Sequence, residues 1–380
     1  MNEDRASRYH RLRRRADLAG AAAAAAVLLW LVLSGGALGV RETAAAILSF
    51  VALPAWAADP ATAALVALQV LLLLAIVEMP FAWYQGFVVE HAYGLSNQTL
   101  GHWMRDHAKG LALAVGLGMA GAAVVYAALG WSRDWWWLAS ALVCALASIG
   151  LAQVAPVVLL PLFFAVKPLD RPALVARLLD LSRRAGTSVV GVFEWTLSAH
   201  TKKANAALAG LGRTRRILLA DTLLADYSDD EIEVILAHEL SHHVHHDLGR
   251  GIALFAGLLV AGFFLAHLLL GALAGPLGLA GLADPAGLPL LLLVGAGWLV
   301  AMRPIVNLVS RRHEQRADRY ALEMTGNVAA FLSAMKRLSQ QNLAEDDPSP
   351  LVKAMYYAHP PIRERLAAAR AWSPAGARPR

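Results

Sequence analysis

The stretch 228–250, SDDEIEVILAHELSHHVHHDLGR, determines how the rest of the chain is interpreted. Ser228 is followed three residues later by Glu231 and then by several apolar residues, the pattern of a capping box that starts a helix. The predicted helix contains His238 and His242, four residues apart. Residues at this spacing lie on one side of an α-helix, one turn apart, so the two imidazoles can chelate Zn²⁺.

Glu239 directly follows the first histidine, as in the HExxH motif, where the glutamate deprotonates a water in the open coordination position of the metal. In a chain with 13 histidines and at most 28 glutamates, chance supplies only about 0.03 such matches. The alternative is a histidine-rich helix exposed to solvent, because further histidines crowd this segment. His242 and His246 are also four apart, but only His238 is followed by a glutamate, so we prefer the pair 238/242.

The composition predicts an α-helical integral membrane protein. Hydrophobic residues make up 58% of the chain, above the roughly 45–50% that is usual in soluble domains, and the mean hydropathy is +0.49. Apolar runs near or above the ~20 residues needed to cross a bilayer occur at 18–39, 62–84, 110–130, 135–164, 252–274 and 287–309. A shorter run, 43–58, is expected to be a re-entrant or interfacial helix, so we predict six to seven spans.

The distribution of charge predicts the orientation in the membrane. Arginines cluster just before the first apolar run, which is too long for a signal peptide and is expected to be a retained anchor. The positive-inside rule places the N-terminus in the cytoplasm, and alternation puts the zinc site and the C-terminus on the same side, at the inner membrane if the source is bacterial. The net charge of +6 is thus mainly a topology signal, and no basic–aromatic pattern favours a nucleic-acid partner. The single cysteine, Cys144, excludes an intrachain disulfide and a cysteine-based zinc site.

Changes in composition divide the chain into four parts. These are N-terminal membrane helices (1–165), a catalytic α+β segment with the HExxH helix (166–250), two membrane helices (251–309) and a C-terminal helical part of the catalytic domain (310–380). The second part begins with an amphipathic helix near 173–185, followed by β-type runs at 188–195 and 216–220 with 204–210 between them. An exposed edge strand of such a small sheet can pair with the extended backbone of a substrate.

A catalytic zinc ion needs a third protein ligand, and a carboxylate is common beside two histidines. The best candidate lies in SRRHEQRAD, 310–318, just past the last apolar run. Glu314 and Asp318 are four apart on a predicted helix, so Glu314 would bind the metal while Asp318 orients a ligand histidine through its other ring nitrogen. The alternative is an ordinary helix in which these carboxylates pair with neighbouring arginines.

The tail after 326 is predicted to form two or three amphipathic helices, interrupted by His359-Pro360-Pro361. His359 is either a turn residue before proline or a donor to the oxyanion of the transition state. Arg365 allows the same two interpretations.

Several separated segments together resemble the CAAX prenyl protease type 1 family, whose members are multispanning membrane zinc metalloproteases. The segments are FVVEHAYGLSNQT (87–99), PLFFAVKPL (161–169), the 205–210 region with ILLADTLL (217–224), HELSHH (238–243), SRRHEQRAD (310–318) and HPPIRERL (359–366). HExxH occurs in many zinc proteases, but its combination with SRxxExxAD and HPPxxER is specific.

The resemblance implies a role for each of the candidate site residues. The zinc ligands would be His238, His242 and Glu314, and the catalytic base would be Glu239. Asp318 would orient a ligand, and His359 and Arg365 would contact the substrate or the oxyanion. Asn205 and Ala206 would lie on the edge strand that clamps the peptide. It also implies a ring of membrane helices around a large chamber, with the zinc site at the cytoplasmic side. The family is described with seven spans, whereas six are clear here, so either 43–58 or a division of 135–164 must supply the last.

The function predicted from the sequence is a membrane-embedded zinc metalloendopeptidase with one Zn²⁺ ion. Its partners would be the lipid bilayer and a peptide or protein substrate, either prenylated at a CAAX-type end or unmodified. Two alternatives remain open: a heat-shock-type quality-control zinc protease of the membrane, and a non-enzymatic metal-binding membrane protein that uses the histidines of 238–246. A heat-shock-type protease would be expected to have fewer spans and to lack the segment 87–99.

Overall fold

The computed structural model describes residues 2–154, 158–210 and 214–373. Among these residues, six helices are long and apolar enough to cross a membrane. They are Arg5–Leu33, Ala55–Ala92, Leu100–Trp131, Trp136–Val154, Asp247–Leu273 and Pro285–Thr325. The predicted α-helical membrane protein with a small α+β part is therefore confirmed.

The N-terminal half consists of long helices joined by short turns. In chain order they are α1 (Asn2–Leu33), α2 (Gly36–Leu48), α3 (Ala55–Trp83), a π-helical turn (Tyr84–Val89), α4 (Glu90–Ala92), α5 (Leu100–Trp131), α6 (Trp136–Val154) and α7 (Leu160–Phe163). The predicted run 62–84 coincides with α3 and the start of the π-helical turn, and the predicted run 110–130 lies within α5. For the run 135–164, helix α6 covers the first part, and residues 155–157 lie outside the described range.

Two helix boundaries near the N-terminus differ from the prediction. The run 18–39 is divided at Gly35, whose φ of +76° is left-handed and thus favours glycine. The predicted helix 43–58 is wrong, because α2 ends at Leu48 and α3 begins only at Ala55, after Pro54 in an extended conformation. Hydropathy misplaced both boundaries because the turns between these helices are almost as apolar as the helices themselves.

The catalytic part contains a four-stranded sheet with the order β1-β2-β4-β3. The strands are β1 (Val166–Pro168), β2 (Val192–Trp195), β3 (Ala206–Ala209) and β4 (Arg216–Ala220). Strand β4 pairs in parallel with β2 and antiparallel with β3, with Ala207 opposite Leu218. Strand β3 is therefore an edge of the sheet, as the family resemblance implied.

Further helices complete this part of the chain, and one of them carries the metal motif. They are α8 (Pro172–Arg184), α9 (Asp221–Asp226), α10 (Asp229–Val244), α13 (Val328–Gln341), α14 (Pro350–Tyr356) and α15 (Ile362–Ala371). Fully buried apolar side chains of α8, β4, α10 and α13, such as Leu178, Ile217, Ile232 and Phe331, form one core. Burying a side chain of this size contributes about 1.5–3 kcal/mol, so this core holds the motif helix firmly against the sheet.

Helices α11 (Asp247–Leu273) and α12 (Leu288–Thr325) connect the two halves of the catalytic part through the membrane region. A 3₁₀ turn (Pro285–Gly287) leads into α12. The predicted span 287–309 and the predicted helix at 310–318 form one continuous helix of 38 residues. This continuity fixes the position of residues 314 and 318 relative to the membrane helices.

The start of α1 contacts the catalytic part. The Tyr9 hydroxyl donates to the carboxylate of Glu90, and Lys203 lies 3.0 Å from the other oxygen of that carboxylate. Arg14 bonds Glu345 at 2.7 Å. At the opposite end of the helices, Arg41 bonds Asp284, at 2.7 Å. The N-terminal turns and the catalytic part therefore share one end of the helical bundle.

Candidate metal centre

Helix α10 begins as the sequence predicted. The Ser228 side chain accepts a hydrogen bond from the Glu231 backbone N–H at 3.3 Å, and the Glu231 carboxylate accepts one from the Ser228 N–H at 2.8 Å. This capping box satisfies two backbone donors that a helix start leaves unpaired. The helix is thereby fixed in register, with His238 and His242 on one side.

Glu314 on α12 meets both histidines of α10. One carboxylate oxygen lies 3.1 Å from Nε2 of His238, and the other lies 3.4 Å from Nε2 of His242. The ligand atoms of these three residues all lie within 4.8 Å of one another, and His238 and Glu314 are buried. The geometry thus brings together the three residues predicted to hold a metal.

Each of the two histidines has a further carboxylate next to its other ring nitrogen, Nδ1. Asp318 Oδ1 is 2.9 Å from Nδ1 of His238, and Asp247 Oδ2 is 3.0 Å from Nδ1 of His242. Such partners turn Nε2 towards the metal and make the imidazole a better ligand. The contact of Asp318 agrees with its predicted role, whereas sequence analysis missed Asp247, although it ends the HHVHHD segment.

Arginines hold these two carboxylates. Arg365 donates to both oxygens of Asp318, at 2.8 and 2.5 Å, and its side chain is mostly buried. Arg316 on α12 pairs with Asp247. In this structure the Arg365 guanidinium thus contacts Asp318, and its predicted contact with the substrate or the oxyanion stays a prediction.

His359 reaches the same centre from the turn before α15. Its Nδ1 lies 2.7 Å from an oxygen of Glu314, and its side chain is 65% exposed. An exposed imidazole next to the proposed ligand Glu314 can reach a bound substrate. The donor role of His359 stays a prediction.

Glu239 faces a cavity beside the two histidines. The cavity has a volume of about 410 Å³ and is lined by residues of α6, β3, α10 and α11, including Gln153, Leu208, Glu239, His242 and Ile252. Burial raises the pKa of Glu239, while the nearby histidines oppose this shift. A carboxylate with a raised pKa is a stronger base once it is ionised, which suits the predicted base.

The titration of His238 links metal binding to pH. Burial lowers the pKa of its imidazole, but contacts with Asp318 and Glu314 raise it more strongly, to about 9. Binding of a cation at Nε2 must therefore displace a proton near neutral pH. We expect the affinity for metal to fall as the pH is lowered.

The edge strand β3 lies beside α10. His243 of the motif helix and Leu208 of the strand line the same cavity, and the two elements are in contact. Ala206 is the first residue of β3, and Asn205 lies just before it with an exposed side chain. The Asn205 carbonyl accepts from the Ala220 N–H at 3.0 Å, so the pairing of the two strands extends to this residue.

The second possible histidine pair is not formed. Helix α10 ends at Val244, and His246 adopts a left-handed conformation with φ of 55° before α11 begins. His246 therefore leaves the helical face that carries His242. In the part of the chain that the structure describes, the cluster at this position consists of His238, His242 and Glu314.

The donor set fits a zinc ion. Two imidazole nitrogens and one carboxylate oxygen from two rigid helices converge, which is the common ligand set of catalytic zinc sites with an open fourth position. Calcium and magnesium prefer oxygen ligands and are disfavoured by the two imidazoles.

Comparison with family models agrees with this geometry. Residues 168–373 match the model described as peptidase family M48, and residues 3–165 match the model for the N-terminal part of CAAX prenyl proteases, with five membrane helices. Four of the candidate spans lie in the latter region, and α2 is the only other described helix of more than ten residues there.

Curated relatives and a solved structure extend the comparison. The uncharacterized metalloprotease YhfN of Bacillus subtilis is 32% identical over 78% of this chain and 70% of its own length. CAAX prenyl protease 1 of Saccharomyces cerevisiae is 28% identical over 77% of this chain and 68% of its own length. The crystal structure of S. mikatae Ste24p has the same fold, with a TM-score of 0.78 and 21% identity over 97% of this chain and 89% of that chain. This chain belongs to peptidase family M48 and is a membrane-spanning metalloprotease.

Proposed function

We propose that the chain is an endopeptidase that uses one zinc ion, held by His238, His242 and Glu314. The main support is that three ligand atoms from two helices lie within 4.8 Å of one another, although 76 residues separate His238 from Glu314 along the chain. When bound there, zinc polarises the carbonyl to be cleaved and lowers the pKa of water towards about 7.

The remaining residues move protons and balance charge. Glu239 takes the proton of the attacking water and delivers it to the leaving amine. His359, exposed beside Glu314, donates a hydrogen bond to the carbonyl oxygen as it becomes negative. Asp318 and Asp247 keep the two imidazoles in the orientation that ligation requires.

The substrate is proposed to bind as an extended segment along β3. An edge strand can accept a further strand through backbone hydrogen bonds, independently of the side chains of the peptide. Leu208 and Ala209 of this strand line the same cavity as Glu239 and His242. The backbone of a peptide bound there would lie next to the ligand cluster. Such binding suits an endopeptidase that accepts many different substrate sequences.

The zinc site, the N-terminus and the C-terminus are proposed to face the cytoplasm. The arginines before the first span favour this side by the positive-inside rule. Contacts of Arg14 with Glu345 and of Lys203 with Glu90 support a common side for the N-terminus and the catalytic part. Labelling of single introduced cysteines in intact cells, in a Cys144→Ala background, tests this orientation.

The substrate class proposed is a membrane-associated peptide with a prenylated C-terminal cysteine. The support comes from relatives named CAAX prenyl protease 1, including those of Saccharomyces cerevisiae and Arabidopsis thaliana. Cleavage of matched farnesylated and unmodified peptides by purified protein tests this point. A kcat/KM at least tenfold higher for the farnesylated peptide supports the proposal, and equal values contradict it while leaving the peptidase assignment intact.

The two alternative functions have less support. The match of residues 3–165 to the N-terminal model of CAAX prenyl proteases favours that group over a heat-shock-type protease. Membership of a metalloprotease family favours an enzyme over a metal-binding protein without activity.

Measuring peptide cleavage and bound zinc in the Glu239→Gln variant tests the proposed chemistry. The amide keeps the shape of the side chain but cannot take a proton, so cleavage should fall by roughly 10²–10⁴-fold while zinc stays bound. Glu233→Gln, on the same helix but paired with Arg177, is the matched control and should keep its activity. Full activity of the Glu239→Gln protein would refute the assignment of the base.

A further inference from the structure

A second cluster of two histidines and one carboxylate lies outside the proposed active centre. His102 and Asp106 are four residues apart near the start of α5, and His200 lies on the loop 196–205 between β2 and β3. One oxygen of Asp106 is 3.1 Å from Nε2 of His200 and 3.5 Å from Nε2 of His102. The ligand atoms of the three residues all lie within 4.8 Å of one another.

The cluster leaves polar atoms without hydrogen bonds. Nδ1 of His200 is buried with no hydrogen-bond partner among the described residues, and Nε2 is buried and faces Oδ2 of Asp106 at 3.1 Å without the alignment of a hydrogen bond. Buried polar groups in folded proteins are nearly always hydrogen-bonded, so this imidazole calls for an explanation. A cation between Nε2 and the carboxylate would give Nε2 a ligand bond in place of its poorly aligned contact with Asp106.

We propose that His102, Asp106 and His200 form a second metal site, which binds a divalent cation of the zinc type. Two imidazoles and a carboxylate favour zinc and similar transition ions over magnesium or calcium. The helix supplies two ligands from one face, and the loop supplies the third. The fourth position would be taken by water. The amide nitrogen of Gln98 donates to Oδ2 of Asp106 at 2.8 Å, the same oxygen that faces the two imidazoles, so a cation would share this oxygen with the amide.

Lys109 reduces the affinity expected at this site. Its ammonium lies 3.4 Å from the other oxygen of Asp106 and 3.0 Å from the carbonyl oxygen of Leu162. The positive charge repels a divalent cation, so the second site binds zinc more weakly than the first. The lysine does not occupy the position between the two imidazoles, since it contacts the opposite oxygen of the carboxylate.

The site would fasten the loop that leads into the edge strand. The loop is already joined to the segment before α5, since the Asn97 N–H donates to the His200 carbonyl at 3.1 Å and Ser96 pairs with Thr201. A metal ion adds a side-chain link between α5 and this loop, at a point six residues before Ala206 begins β3. Its role is to hold the loop rather than to cleave a bond.

The metal content of purified full-length protein tests the proposal. After equilibration with zinc chloride and desalting, we expect two zinc ions per chain in the unsubstituted protein and one in His102→Ala, with peptide cleavage retained. His107→Ala is the matched control, because its ring stacks on Trp103 outside the cluster, and it should keep two ions.

The variant His200→Ala shows whether the loss of a zinc ion comes from removing a ligand or from misfolding. His102 is 37% exposed, so its removal disturbs little packing, whereas His200→Ala tests the buried ligand directly. The proposal is overturned if the unsubstituted protein binds one zinc ion that Glu314→Ala removes. It is equally overturned if both His102→Ala and His200→Ala retain two ions.

Discussion

Two clusters in this chain place a pair of imidazoles around one carboxylate, and their surroundings differ. The proposed ligand imidazoles lie 3.1 and 3.4 Å from Glu314, and those of the other cluster lie 3.1 and 3.5 Å from Asp106. The distances are similar, although the two imidazoles face different oxygens of Glu314 and the same oxygen of Asp106. What differs is the set of groups around the ligands, and those groups separate a centre for catalysis from a site that only binds.

Three carboxylates, those of Glu239, Asp318 and Asp247, surround the cluster at Glu314, and they have no counterpart at the other cluster among the described residues. The proposed base, Glu239, follows the first proposed ligand in the sequence and lines a cavity. A carboxylate lies within 3.0 Å of the second nitrogen of each imidazole. At the Asp106 cluster, by contrast, Nδ1 of His200 has no described partner and Lys109 lies beside the carboxylate. Three ligands suffice to bind a metal, whereas hydrolysis also needs oriented imidazoles and a base.

The largest expected difference between the clusters comes from removing one histidine in each. His238→Ala should lower peptide cleavage by roughly 10³-fold or more, because a catalytic metal contributes several kcal/mol to the transition state. His102→Ala should leave cleavage within about twofold, since surface changes away from such centres cost little. Cleavage assays of both purified variants make the comparison, and equal losses would show that the two clusters are not distinct in function.

The next effect concerns the carboxylates behind the imidazoles. Asp318→Asn and Asp247→Asn should each weaken zinc binding by about 10–100-fold, because an amide orients the ring less strongly than a carboxylate. Asp180→Asn, on the surface of α8, is a control that should leave zinc affinity unchanged. Competition with a chelating dye measures the affinity, and unchanged values for both Asp318→Asn and Asp247→Asn would remove this distinction between the clusters.

A smaller effect is expected from Arg365→Lys. Lysine cannot reproduce the two parallel hydrogen bonds to Asp318, so the carboxylate becomes less well fixed and zinc affinity should fall by up to about tenfold, together with activity. If Arg365 instead contacted the oxyanion, kcat would fall while the dissociation constant for zinc stayed the same. Measuring both quantities on one preparation therefore distinguishes positioning from direct stabilisation.

The smallest effect is expected at the edge strand beside the catalytic cluster. Asn205 has an exposed side chain, and its backbone is already paired with β4. Asn205→Ala should raise KM by about fivefold, the equivalent of one hydrogen bond of ~1 kcal/mol, with kcat unchanged. A loss confined to kcat would place this residue in the chemistry rather than in peptide binding.

Much of the proposed active centre could be predicted because its signals are local. The capping box at Ser228, the spacing of His238 and His242, and the strand 216–220 each depend on a few neighbouring residues. Glu314 required a further step, because the predicted span ended at 309 and the structure continues the same helix to Thr325. Nothing in the apolar pattern indicates where a membrane helix continues into the aqueous region.

The features that sequence analysis missed depend on folding. Asp247 meets His242 only because the chain turns at His246 and starts a new helix there. His102 and Asp106 show the same spacing of four as a ligand pair, but their partner His200 lies on a loop nearly a hundred residues later. The break at Gly35 is equally hidden, since a single glycine in an apolar run is compatible with a continuous helix.

Anomalous diffraction at the zinc absorption edge, from crystals of the full chain grown with zinc, tests the central claim most directly. We predict a peak within about 2.0–2.2 Å of Nε2 of His238, Nε2 of His242 and a carboxylate oxygen of Glu314. The absence of an anomalous peak at this position, or a Glu314 carboxylate turned away from the two imidazoles, would contradict the account.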